Sequence, residues 1–178
     1  MLVSGPPGSG KTTIAVPLAS ALGLPLLAKD TVKEALMDSL GAGTLERSRE
    51  LGRAAFAVLF AVARSHLDAG AGLVLEANFA RGVSEGDLRP LVACGRAVTV
   101  HCWAPRELLM ARYRARAAER HPGHHDLARL DTDPPWLSPP ATEAPELGVP
   151  CLRVDTAAHW DQAAIVAWVR ANLTGRRL

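Results

Sequence analysis

The chain has 178 residues, a formal net charge of +2, and is 48% hydrophobic and 21% charged. That balance fits one globular domain with enough core to fold without metals or disulfides, and the charge is too small to argue by itself for a nucleic-acid or membrane partner. Three widely spaced cysteines, Cys94, Cys102 and Cys151, are odd in number and fit a reducing, cytoplasmic setting.

Residues 1–3 read as a short apolar strand entering a Gly-rich turn. No basic segment precedes it, so no secretory leader is expected. Residues 11–22 follow as a helix whose Ile14, Val16, Leu18 and Leu22 suit packing, with Pro17 as a potential kink and Gly23 as the C-cap. A second strand over 24–28 ends at Lys29-Asp30, and a short helix over 31–40 stops at Gly41-Ala42-Gly43. Residues 45–69 predict a long helix. Its apolar run over 54–63 is about half of the ~20 residues that span a bilayer, so a core helix is expected.

A buried strand over 73–76 ends on a carboxylate, and a helix is expected within 83–94. Residues 97–103 read as a strand and 105–120 as an arginine-rich helix with Pro105 at its start. Residues 121–149 look loop-like and dense in His, Asp and Pro, before a last strand over 151–154 and a last helix over 160–173. Strands alternating with helices predict an α/β fold, a largely parallel sheet covered on both faces. In such sheets ligands bind at the carboxyl ends of the strands, where the Gly-rich turn, Asp30 and Glu76 all fall. One domain is expected over 1–178, with a lid at about 105–135.

Gly5-Pro6-Pro7-Gly8-Ser9-Gly10-Lys11-Thr12, followed by Thr13, matches the phosphate-binding loop at every specified position. Its glycines permit backbone that side chains would block, and its N–H groups, with the following helix N-terminus, face phosphate oxygens. Lys11 would reach the β- and γ-phosphates of ATP, and Thr12 would hold Mg²⁺.

Phosphoryl transfer to an alcohol also needs a base, and Asp30 is the candidate, with helix capping as its alternative role. Glu76 is a candidate for Mg²⁺, its water or substrate, or is simply an exposed strand end. Asn78 and Arg81 are candidate substrate or phosphate contacts, or solvated loop. Arg112, Arg116 and Arg120 recur every fourth residue, which on one helix would align them for clamping a triphosphate; a solvated basic face is the other reading. His121, His124 and His125 match no zinc spacing and suit a lid tip, substrate contacts or surface loop. Asp155-Thr156 suits either the adenine region or a cap on the last helix.

Assembled in this order, the segments 5–13, 29–34, 75–79, 112–126 and 154–156 resemble P-loop kinases described as AAA-type ATP-binding proteins. Those are relatives of chloramphenicol phosphotransferase, the zeta toxins and the kinase domain of polynucleotide kinase. The resemblance implies a three-layer P-loop NTPase fold with a parallel five-stranded sheet, helices on both faces and an arginine-rich lid. It also implies ATP and Mg²⁺ as cofactors, Asp30 as the carboxylate that activates the acceptor hydroxyl, and Arg116 and Arg120 as lid arginines. The chain departs from the pattern at Lys33, where polynucleotide kinases tend to carry arginine, and at Glu76, where aspartate is commoner.

The leading expectation is transfer of the γ-phosphoryl of ATP to a hydroxyl of a small molecule such as an antibiotic, sugar or nucleoside. Lys33, Arg49, Arg53, Glu76, Asn78 and Arg81 would shape the acceptor pocket. A nucleotide or nucleic-acid 5′-hydroxyl kinase is the alternative enzyme; its nucleic-acid form is disfavoured because only 4% of residues are aromatic. An NTP-binding regulatory ATPase is the alternative from another class.

Overall fold

The computed structural model describes residues 1–126 and 134–174, so the expected lid over 105–135 falls partly outside the described residues. In chain order the elements are β1 (Leu2–Ser4), α1 (Lys11–Leu22), β2 (Leu26–Ala28), α2 (Lys29–Leu40), α3 (Leu45–Asp68) and β3 (Val74–Glu76). After these come α4 (Glu85–Val92), β4 (Thr99–Trp103), α5 (Arg106–Ala117), β5 (Cys151–Asp155) and α6 (Gln162–Thr174). Short 3-10 turns cover Pro122–His124 and Pro135–Leu137.

The five strands form one sheet in the order β2-β3-β1-β4-β5, every pair parallel. Alternation along the strands sorts the two faces. Val3, Val74 and Val100 face α1 and α6 through Ile14, Leu18, Ile165 and Val169. Leu2 and Leu75 face the other way, onto Leu59 and Ala63 of α3 and Leu88 and Leu91 of α4. The sheet is therefore sandwiched between helix pairs, and β1, at its centre, delivers the phosphate loop to the middle of the carboxyl rim.

Local chemistry explains the boundaries. Pro17 sits inside α1 without ending it. Gly23, left-handed at φ 64°, closes α1 as its N–H bonds the Ser20 carbonyl, while Leu24 N–H reaches Ala19 O at 3.0 Å. Thr44 caps α3 by accepting from Arg47 N–H at 3.2 Å. No helix among the described residues is long and apolar enough to cross a membrane.

Four expectations change. Val16, assigned to the packed face of α1, is 52% exposed. α2 begins at Lys29, so Asp30 lies inside its first turn rather than before it. Arg120 is off α5 altogether: the Glu119 and Arg120 N–H groups both bond the Arg116 carbonyl, and Pro122 cannot extend a helix. Arg112, Arg116 and Arg120 therefore do not share one helix face. Finally, Asp161 caps α6 through Ala163 N–H at 2.8 Å, leaving Asp155 and Thr156 for other work.

His101, fully buried in β4, lies between Ser4 Oγ at 2.9 Å and the Thr142 carbonyl at 3.1 Å. The carbonyl requires Nε2 to donate, so Nδ1 accepts from Ser4. Burial lowers the His101 pKa to about 4. An unfolded histidine titrates near 6.5, so the unfolded chain takes up the proton first as pH falls. The stabilisation is therefore present above pH ~6.5 and lost as pH falls toward 4. Denaturant unfolding of the wild type should lose about 2–3 kcal/mol between pH 7 and 4.5, and His101→Gln should flatten that slope.

Candidate active site

The phosphate loop is shaped by close contacts. Gly5 adopts φ +143°, and a Cβ there would collide with the Cys102 carbonyl oxygen of β4. A Cβ on Gly8, at φ +81°, would lie 2.6 Å from the Leu109 carbonyl oxygen of α5. Only glycine permits both the conformation and the approach, so the loop is pressed against β4 and α5. Lys11 Nζ donates to the Pro6 carbonyl at 3.1 Å, curling over the loop it follows. Burial lowers the Lys11 pKa, while the Glu76 and Asp30 carboxylates oppose the shift.

A cavity of about 100 Å³ lies at the carboxyl rim beside this loop, bordered by Lys11, Asp30, Lys33, Glu76, Arg116 and Arg120 among others. Glu76, at the end of β3, is 5% exposed and accepts from Thr12 Oγ1 at 3.3 Å. Burial raises its pKa against the pull of Lys11. Asp30 caps nothing. It accepts from Lys29 Nζ at 3.0 Å and Arg120 Nη2 at 2.7 Å. Burial pushes its pKa up, but the Lys29 and Arg120 cations outweigh burial and hold the carboxyl far below the usual range.

Arg120 is the hub of this corner. Its Nη1 donates to Asp126 Oδ2 at 2.7 Å, and Asp126 Oδ1 accepts from Tyr113 Oη at 2.6 Å. His124, buried, meets Arg120 Nη2 and also Glu34 of α2 at 2.8 Å, while His121 meets Asp38 at 3.1 Å. The histidines thus fasten the turn after α5 onto α2. Among the described residues no group of three or more His, Cys, Asp or Glu is arranged to hold a metal.

Arg116 differs from its neighbours. Its guanidinium lies 5.9 Å from the Tyr113 ring centroid, and its buried Nε has no hydrogen-bond partner among the described residues. Burial first, and then Arg120, lower its pKa. A buried guanidinium donor without an acceptor is costly. Arg116 also borders a second cleft of about 340 Å³, with Gly8, Gly10, Thr13, Arg112 and Trp160. There Arg112 donates to Thr156 Oγ1 at 2.9 Å and the Thr156 carbonyl at 2.7 Å.

The expected acceptor residues divide. Lys33, Glu76 and Asn78 border the Asp30 cavity, and buried Lys33 donates to Ser48 Oγ of α3 at 2.9 Å. Arg53 borders a neighbouring apolar cavity together with Asn78. Arg49 lies on the exposed face of α3 and borders none of these cavities. Arg81 turns away, pairing with Glu143 at 2.9 Å and Glu146 at 3.1 Å, and so ties the approach to β5 onto the segment after β3. Sequence reasoning missed Tyr113 and Trp136, whose rings meet at 4.6 Å on the cavity wall. Tyr113 precedes Arg116 by three residues, a helical spacing that was legible; Trp136 carried no such signal.

Residues 1–140 match the family model of the AAA domain, AAA_33. A crystal structure of a candidate kinase from Chloroflexus aurantiacus J-10-fl superposes with a TM-score of 0.84 at 33% identity, covering 97% of this chain and 97% of that one. A gluconokinase from Sinorhizobium meliloti 1021 shares the fold at a TM-score of 0.53 and 22% identity, over 97% of this chain and 89% of that one. A sugar kinase from Janibacter sp. HTCC2649 does so at 0.54 and 20%, over 97% and 92%. A cytidylate kinase of Ignicoccus hospitalis is 46% identical over 46 residues, 26% of this chain and 27% of that protein. The match therefore spans about a quarter of that curated relative's length. With the family model running from β1 to beyond α5, the chain belongs to the AAA domain family and is an ATP-dependent P-loop kinase.

Proposed function

We propose that this kinase transfers the γ-phosphoryl of ATP to a hydroxyl of a small molecule, with Asp30 as the base. The observation that carries the reading is the position of Arg116. It borders both the cleft of the phosphate loop and the cavity containing Asp30, with a buried donor left over for an anion. A phosphoryl group passing from one space to the other would cross its guanidinium.

In this reading the backbone N–H groups of the loop and Lys11 hold the β- and γ-phosphates. Arg112 and Trp160 flank the nucleotide cleft and offer the base two flat surfaces. Thr12 and Glu76, hydrogen-bonded to each other at 3.3 Å, would hold Mg²⁺, which needs only one or two protein ligands. When bound, Mg²⁺ supplies charge neutralisation on the phosphates. Asp30 accepts the acceptor's hydroxyl proton as the hydroxyl oxygen bonds to the γ-phosphorus. The bond from that phosphorus to the bridging oxygen breaks, and its electron pair leaves on ADP. Arg116 stabilises the charge spread over the equatorial oxygens, while Arg120 holds Asp30 in position.

The low pKa of Asp30 suits this duty. Phosphoryl transfer has a loose transition state with little early proton removal, so a weak, well-placed base suffices and stays ionised. Lys29 and Arg120 hold it in place.

Asp30→Asn should leave ATP affinity near wild type and cut transfer to the acceptor by about 10²-fold or more, read as ADP released with and without acceptor. Equal acceptor-dependent turnover in the variant would remove Asp30 from the mechanism. Arg116→Gln should lower kcat by roughly 10²-fold with a smaller change in KM for ATP. In Lys29→Met, loss of the neighbouring cation raises the Asp30 pKa. Loss of kcat on the acid side should set in at higher pH than in the wild type, whereas an unchanged acid side would assign it to another group.

A further inference from the structure

All three phenylalanines of the chain lie in one place. Phe56 and Phe60, one turn apart on α3, stack with centroids 5.8 Å apart, and Phe79, just beyond β3, joins them at 6.1 and 6.3 Å. Core packing accounts for Phe79, which is fully buried, but Phe56 and Phe60 are only half-buried. With Ala57, Ala80 and Val83 they wall a cavity of about 450 Å³ whose polar residues are Arg53, Asn78, Asp87 and Ser84, the last with its hydroxyl already taken by the Ala80 N–H.

One exposed valine on a surface is ordinary, and Val83, at 76%, would mean little alone. The placement of the cavity gives it meaning. Asn78 borders both this cavity and the one containing Asp30. Lys29, paired with Asp30, has its Nζ 5.8 Å from the Phe56 ring centroid. The aromatic wall therefore begins one side chain away from the base.

A polyhydroxylated acceptor needs a partner for each hydroxyl it buries, since an unpaired one forfeits its hydration. Phe56, Ala57, Phe60, Ala80 and Val83 supply no side-chain donors or acceptors, whereas they suit the face of a flat apolar group. Resting on the reading of Asp30 as the base, we propose that the acceptor is an alcohol with an apolar, ring-bearing body. The ring lies against Phe56, Phe60 and Val83, and the hydroxyl reaches Asp30 past Asn78. The polar rim of Arg53 and Asp87 leaves room for polar substituents on the outer edge of the ring.

The test is equilibrium binding of 2-(4-fluorophenyl)ethanol to the full chain in the presence of ADP, followed by the fluorine NMR signal. Saturable binding is expected, with gluconate at equal concentration failing to displace it. Val83→Asp and Phe60→Ser should each weaken binding about tenfold or more, while Phe60→Leu, which keeps an apolar wall, stays within about threefold of wild type. ADP binding by every variant serves as the control for folding. Absence of saturable binding, displacement by gluconate, or indifference to both Val83→Asp and Phe60→Ser would overturn the proposal. Asp30→Asn separates it from the reading on which it rests. That variant should still bind the aryl alcohol, so loss or retention of transfer there reports on the base alone.

Discussion

The corner of the molecule where chemistry is expected depends on one guanidinium. Arg120 donates 2.7 Å bonds to Asp30 on α2 and to Asp126 beyond α5, and it meets His124, which in turn is held by Glu34 of α2. Asp126 and Arg120 are largely removed from water, so losing either would strand the other as a buried charge, while Asp30 and Glu34 keep part of their surface in solvent. That pairing constrains the backbone. To put Arg120 between two carboxylates, the chain must leave α5 after Ala117 and fold back over α2. The fold of the turn after α5 and the low pKa of Asp30 thus have a common origin.

Beside this saturated cluster stands Arg116, whose buried Nε has no partner among the described residues. The contrast is informative. Arg112 is spent on Thr156 and Arg120 on two carboxylates, so those two side chains are held by protein. Arg116 instead lies 5.9 Å from the Tyr113 ring centroid, a cation–π contact that holds its guanidinium without taking up its N–H donors. Three arginines in one short stretch therefore have three different surroundings: Arg112 braces Thr156 after β5, Arg116 lies against the Tyr113 ring, and Arg120 bridges Asp30 and Asp126.

Much of this was legible in the residues. The phosphate loop is read directly, because a cradle of backbone N–H groups needs glycine at defined places and leaves a short local pattern. The element order was also legible, since period-two and helical spacing of apolar residues mark which segments must be covered. Arg112, Arg116 and Arg120 show the limit of that method. Their spacing predicts a common helix face, yet the helix ends before Arg120, because the ion pairs and Pro122 outweigh the local helical tendency. Arg81 was misplaced for a similar reason: its partners, Glu143 and Glu146, lie more than sixty residues away in a segment without periodicity.

By itself, then, the sequence determined that a nucleotide phosphate is held after the first strand of an α/β sheet, and that Asp30 and Glu76 stand on the same rim. These are consequences of local backbone chemistry and of parallel strands ending together. Only the tertiary structure decided what surrounds them. It released Asp30 from capping and gave it to Lys29 and Arg120, singled out Arg116, and gathered three scattered phenylalanines beside the Lys29–Asp30 pair. Such pairings join residues distant in the chain, and the desolvation that makes them matter exists only once the core has closed around them.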